Sequence, residues 1–311
     1  MTSHPLLASP APGERIVARL GLISDTHFPD RLMTLPEAVF RAFQDVDLIL
    51  HAGDVGELSI LDTLSMLAPV VAVHGNDDTF DAQRELPYQQ VICIQGVRLL
   101  LTHAHYQNRA EEMTSRRDDQ WASKLNRRAA MGRRAAAQVV IFGHTHIPMV
   151  LPWAEVLLVN PGAIAPGNHF IRQKLRSVAR LLVSDQGHIT VEHLDLDKDG
   201  QLFTPVVDVH AGFADAMNEL SEPIIADDLK VYLPALYNLL SPGTLKMHEE
   251  EAFRSVLRRL ALPRWESLQA PITYTEMLAS LYEHLPDTFA SRLEKELRLY
   301  IDKMAKRGSQ E

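Results

Sequence analysis

The chain has one cysteine, Cys93, in 311 residues. That excludes a disulfide framework and any zinc ribbon built on several thiolates, and it suits a reducing compartment. No apolar run approaches the roughly 18 residues that a membrane-spanning helix needs. Residues 1–14 are rich in Pro, Ala and Ser and lack the charged-then-apolar pattern of a secretion signal, so a flexible N-terminal tail and a cytoplasmic location are expected. Basic charge is also in deficit. Lys+Arg number 31 against 40 Asp+Glu, a net charge of −9 that argues against bulk nucleic-acid binding through counterion release. Internal repeats and low-complexity tracts are absent. What remains is a globular composition, 46% hydrophobic, with 14 histidines that a core does not require.

From residue 15 the chain alternates short β-rich runs with helical stretches. Residues 16–24, 46–50 and 70–73 read as strands, and 36–45 and 58–67 as helices. Pro36 falls early in its helix, where a missing N–H costs nothing. This alternation predicts βαβ units and a largely parallel inner sheet, an α/β fold. Residues 91–94 and 97–102 flank a Gln95-Gly96 turn, an Arg- and Ala-rich helical stretch covers 109–138, and 138–142 is a further strand. Residues 156–159 lead into Asn160-Pro161-Gly162, and 177–184 and 188–195 form another hairpin. The main domain is therefore expected over 15–199.

Residues 228–240, 249–260, 273–284 and 287–306 have helical periodicity, broken at Pro242-Gly243, Pro263, Pro271 and Pro286. Residues 200–311 thus read as a helical extension, packing on its own core or on a second copy. Cys93 is expected in the core. Asp195-Leu196-Asp197-Lys198-Asp199-Gly200 imitates a calcium loop, but Val206 stands where a bidentate Glu is needed, so a turn is expected.

Five segments share one position, just after the C-terminal end of a predicted strand: Asp25-Thr26-His27, Gly53-Asp54, Gly75-Asn76-Asp77-Asp78, His103-Ala104-His105 and Gly143-His144-Thr145-His146. Open α/β sheets place ligand sites there. Extended backbone would aim Asp25 with His27, and His144 with His146, in one direction. Asp25, Asp54 and Asn76 offer oxygen, and His27, His103, His144 and His146 offer imidazole nitrogen. Seven such groups exceed what one tetrahedral ion uses, but suit two ions sharing a carboxylate. Oxygen and nitrogen without thiolate select Mn, Fe, Zn, Co or Ni.

This ordered set resembles the calcineurin-like metallophosphoesterase superfamily, and with Thr102-His103 and Val159-Asn160-Pro161-Gly162 its small bacterial and archaeal phosphodiesterase branch. The resemblance covers about residues 16–196. It implies a four-layer α-β-β-α sandwich and two divalent metals, Mn favoured. Asp25, His27, Asp54 and His146 would hold one ion, and Asp54, Asn76, His103 and His144 the other, with Asp54 bridging. It also implies a metal-bridging hydroxide attacking phosphorus in line, on a phosphate-ester substrate.

One departure bears on the chemistry. Many members follow Gly-Asn with a His that protonates the leaving group, and here that slot is Asp77. An ordinary Asp is ionised at neutral pH. Either burial raises its pKa, or another group such as His169 donates, or the leaving group needs no proton, as in a diester with a weakly basic leaving group. Asp78 matches the family's acidic position and is expected to orient a ligand His. His105 is a candidate for phosphate contact, and His51 and His74 for support. The basic stretch over 109–134 would steer an anion or simply face solvent. A phosphodiesterase is the leading expectation. The alternatives are a phosphomonoesterase acting on protein or nucleotide, a nuclease, and a metal-binding scaffold like the retromer subunit of this family.

Overall fold

The computed structural model describes residues 4–7, 13–241 and 243–308. They form two units, Met1–Ala165 with Lys174–Leu220, and Pro166–Gln173 with Ser221–Glu311. In chain order the elements are β1 (Ile16–Ile23), α1 (Glu37–Ala42), β2 (Leu48–His51), α2 (Ser59–Ser65), β3 (Val70–Ala72), α3 (Phe80–Glu85), β4 (Gln89–Ile94), β5 (Val97–Thr102), α4 (Arg109–Arg117), α5 (Trp121–Arg134), β6 (Val139–Phe142), β7 (Met149–Trp153) and β8 (Val156–Asn160). Then come β9 (Ile171–Gln173), β10 (Ser177–Ser184), β11 (Ile189–Asp195), β12 (Gln201–Phe203), α6 (Phe213–Leu220), β13 (Ser221–Pro223), α7 (Asp227–Lys230), α8 (Leu233–Leu239), α9 (Met247–Glu266), α10 (Tyr274–His284) and α11 (Asp287–Gly308).

The first unit is α/β, with two sheets between layers of helix. One sheet runs β12-β11-β10-β1-β2-β3 and the other β4-β5-β6-β8-β7. The alternating segments β1-β2-β3 and β5-β6-β8 are parallel, but β4, β7, β10, β11 and β12 all pair antiparallel, so the sheets are mixed and not largely parallel as expected. The period-2 pattern of each strand divides its side chains between two cores. Leu20, Leu22, Leu99, Leu101, Val139 and Ile141 fill the space between the sheets. Ile23 and Ile49 face α1 and α2, and Leu100, Val140 and Phe142 face α5. Both faces of the parallel strands are thus buried, which explains their continuous apolar runs.

Several expectations shift. The helix expected over 109–138 breaks at Asp118-Asp119-Gln120, because Asp118 Oδ1 accepts from Gln120 N (2.9 Å) and Asp119 Oδ1 from Ala214 N (2.7 Å). Strand β7 escapes sequence reading because Pro152 interrupts it, and Pro is tolerated on an edge. Cys93 is exposed, not in the core, because it points outward from edge strand β4. The boundary expected at 199/200 lies at 220/221, since β12 extends the first sheet and Phe213 of α6 meets Trp121 edge-to-face at 5.0 Å. Of the tail expected over 1–14, residues 1–3 and 8–12 lie outside the described residues. Leu7 bridges to Ile189 and Leu6 O accepts from Ile189 N at 2.7 Å, so that part is docked rather than flexible.

The second unit is helical around its own core of Leu236, Phe253, Leu257, Met277, Leu281, Leu293 and Leu297. Strand β9 brings residues 166–173 into it by pairing with β13. Helix α9 runs through Pro263, beyond the end expected at 260, and buries Arg264 and Trp265 in its last turn. Among the described residues no helix is long and apolar enough to cross a membrane.

Candidate metal centre

Strands β1, β2, β3, β5 and β6 deliver the five polar segments to one edge of the first unit. The backbone does not stay extended there, as the sequence reading assumed. Asp25, His27, Asp54, His144 and His146 have φ of 55°, 48°, 51°, 72° and 58°. Left-handed backbone costs an L-residue about 1–2 kcal/mol and persists only where surroundings enforce it. Here Asp25 N donates to Gly53 O (3.0 Å), His27 N to Asp54 O (2.9 Å), and Thr26 Oγ1 to Val55 O (2.8 Å). Gly53 has φ 86° and lies so close to His103 that a Cβ would meet it at 2.6 Å.

The side chains converge tightly. His146 Nε2 lies 3.1 Å from Asp25 Oδ1, His103 Nε2 3.3 Å and His27 Nε2 3.5 Å from Asp54 Oδ2. Donor atoms of Asp25, His27 and His146, of Asp25, Asp54 and His103, and of His27, Asp54 and Asp77 lie within 4.8 Å of one another in each group. Asp25, His27 and Asp54 each belong to two of these groups. Ser24 Oγ donates to Asp25 Oδ2 (2.6 Å) and Asp77 N to Asp54 Oδ1 (2.9 Å), leaving the opposite oxygens for the cluster. His103 Nδ1 bonds Ala52 O at 2.8 Å, which presents Nε2 inward. Asn76 Oδ1 is buried without a hydrogen-bond partner among the described residues. An orphaned carbonyl oxygen beside buried carboxylates and imidazoles fits a hard or borderline divalent cation.

The electrostatics agree. Burial opposes charge on Asp25 and Asp54, but His146 and His103 around the first, and His103 and His27 around the second, hold both carboxyls well below the usual range. Burial disfavours an imidazolium at His103 too, yet Asp54 and Asp25 outweigh it and raise it to about 10. Burial, with Arg31 alongside, lowers His27 to about 4. Burial, with His103 and His144 alongside, lowers His105 to about 3. Two anionic carboxylates among mostly neutral imidazoles make a cation-seeking pocket.

The remaining candidates divide. His144 Nε2 is engaged by Glu112 Oε1 at 2.9 Å, and its ring lies 5.0 Å from that of His103. His105 joins a ring cluster with His103, Tyr88 and His74. The option of a raised Asp77 fails. Burial and Asp54 push its carboxyl up, but Arg31 and His27 prevail and lower it. Asp78 grips backbone rather than a histidine, accepting from Gly56 N (2.5 Å) and Gly75 N (2.6 Å), and burial beside Asp54 raises it to about 6. His51 supports Thr26 through Nε2 at 3.1 Å. His169 is buried and belongs to the second unit.

Sequence reading gave no individual site role to Glu112, Arg31 or Arg127. Arg127 donates to Ala104 O (2.6 Å) and His105 O (2.7 Å), so part of the basic stretch holds the histidine loop instead of facing solvent. Arg31 was legible only as the residue one helical turn's distance after His27, and Glu112 had no local signal.

The calcineurin-like phosphoesterase superfamily domain matches residues 19–186, just the span that carries these five segments. A probable metallophosphoesterase of Methanocaldococcus jannaschii is 36% identical over 54% of this chain and 77% of its own length. A probable metallophosphoesterase of Methanothermobacter thermautotrophicus is 42% identical over 46% of this chain and 76% of its own. A protein of M. jannaschii named a phosphodiesterase is 26% identical over 46% of this chain and 82% of its own. With strand-end carboxylates and histidines gathered as the motif order implies, the chain belongs to the calcineurin-like phosphoesterase superfamily.

Proposed function

We propose that the chain is a dinuclear-metal-dependent phosphodiesterase. In this reading Asp25, His27, Asp54 and His146 hold one divalent ion, and Asp54, Asn76, His103 and His144 the other. Such ions, manganese being our preferred pair, lower the pKa of a bound water and offset charge on phosphoryl oxygens. The chain's own residues do the rest. Ser24 and the Asp77 N–H fix the two carboxylates, the Ala52 carbonyl fixes His103, and Arg31 adds a cation beside His27.

The observation that favours a diester is the state of Asp77. Arg31 Nη2 donates to Asp77 Oδ2 at 2.8 Å, so the group in the leaving-group position stays ionised and has no proton to give. A diester with a weakly basic leaving group needs none. The relative named a phosphodiesterase supports the same reading.

The deciding experiment purifies the protein with manganese, measures bound metal, and compares bis-p-nitrophenyl phosphate with p-nitrophenyl phosphate. Preference for the diester is expected. Preference for the monoester would make the chain a phosphomonoesterase, and bound metal without turnover of either would make it a scaffold.

A further inference from the structure

Arg31 lies outside the proposed ligand set, yet its guanidinium reaches into it. Its N–H donates to the His27 carbonyl at 2.9 Å, a turn that folds the side chain back over His27. Nη1 lies 3.0 Å from His27 Nε2, and Nη2 donates to Asp77 Oδ2 at 2.8 Å. Nε is buried and makes no hydrogen bond among the described residues, with Asp30 Oδ2 3.9 Å away. The Arg31 side chain is 12% exposed and that of Asp77 43%, so the pair runs from the cluster out to solvent. Asp77 borders the reacting centre, since one of its oxygens lies within 4.8 Å of donor atoms of His27 and Asp54.

The chemistry of these groups turns the geometry into substrate selection. An imidazole Nε2 has one lone pair. When that pair is given to a cation, Arg31 Nη1 needs another acceptor, and an anion held at the cluster is within its reach. A guanidinium suits phosphate oxygens because its donors lie in a fixed plane. Asp77 then places a fixed negative charge beside the same anion. A phosphodiester carries one negative charge, whereas a monoester carries about 1.5 to 2 near pH 7.

Building on the phosphodiesterase reading, we propose that Arg31 binds a non-bridging oxygen of the substrate phosphate while Asp77 disfavours dianionic monoesters, so that the pair selects monoanionic diesters. Arg31 is then a substrate-binding residue and Asp77 a specificity residue.

The test uses the full chain loaded with manganese, as wild type, Arg31→Ala, Arg31→Lys and Asp77→Asn. Metal content, kcat and KM on both nitrophenyl substrates, and inorganic phosphate affinity by titration calorimetry are measured for each. Arg31→Ala should keep its metal, lose roughly 10- to 100-fold in diester kcat/KM, and bind phosphate more weakly. Arg31→Lys should recover only part, because an ammonium is a point donor. Asp77→Asn should bind phosphate more tightly and shift the monoester-to-diester ratio upward by roughly tenfold. Unchanged phosphate affinity and diester kcat/KM in Arg31→Ala would overturn the arginine's role. So would loss of metal in that variant, which would make Arg31 a support of His27. An unchanged ratio in Asp77→Asn would overturn the charge selection. If the wild type itself prefers the monoester, the phosphodiesterase reading fails separately, and phosphate affinity in Arg31→Ala still judges the arginine.

Discussion

His144 Nε2 lies 2.9 Å from Glu112 Oε1, although His144 occupies a metal-ligand position of the family motif. Glu112 is itself fixed by Arg116 Nε at 2.7 Å and by Tyr106 N at 3.0 Å. His144 Nε2 is therefore the N–H held by a neighbouring carboxylate, which leaves Nδ1 as the nitrogen with a lone pair. On the two-ion reading, Glu112→Ala should therefore weaken binding of the second metal equivalent by roughly 10- to 100-fold. Competition against a chelator measures this, and tighter binding would show that Glu112 competes for His144 instead of orienting it.

The Asp54 carboxylate lies between His27, His103 and the Asp77 N–H. Asp54→Asn preserves shape and removes charge, so turnover should fall by roughly 100-fold or more with the circular dichroism spectrum unchanged. Full turnover in this variant would sink its assignment as the shared ligand.

Gly53→Ala tests the backbone. The added methyl would collide with His103 at 2.6 Å in a residue whose φ is 86°. Unfolding free energy should drop by about 1–3 kcal/mol, and metal content should fall with it. Denaturant melts together with metal analysis check both.

The stability of chelator-stripped protein should peak near pH 6.5. His103 is raised from 6.5 to about 10 when folded, so its contribution is complete below pH 6.5 and is lost as pH climbs toward 10. His27, His51 and His105 are lowered to about 4, 3 and 3, mainly by burial, so the unfolded chain takes up their protons first as pH falls below 6.5. His193, lowered to about 4 by burial, acts with them, and Asp78, raised to about 6, works the other way between its ordinary 3.8 and 6. Thermal melts from pH 4 to 10 should trace this maximum, and His103→Ala should flatten its alkaline side.

The strand ends were legible because two physical regularities coincide in the sequence. Parallel strands buried on both faces must be short apolar runs, and the polar residues that follow them are where an α/β sheet can bind a ligand. Asp25, Asp54, His103 and His146 stand out for that reason. Strand β7 was hidden by Pro152, and the joining of β12 and α6 to the first unit was hidden by the weak pattern of residues 200–220. Asp77 could be seen in the sequence, but not its state, because Arg31 reaches it across 46 residues of chain.

The sequence by itself determined the fold class, the order of the ligand-bearing segments and, with one cysteine, that cations here meet oxygen and imidazole. Tertiary structure alone decided how those segments converge. It bends Asp25, His27, Asp54, His144 and His146 into left-handed turns, sets Glu112 on His144, and joins Arg31 to Asp77. Local pattern encodes burial and periodicity, which act on neighbours along the chain. Charge pairing and strained backbone depend on distances in space, which only the packed sheets supply.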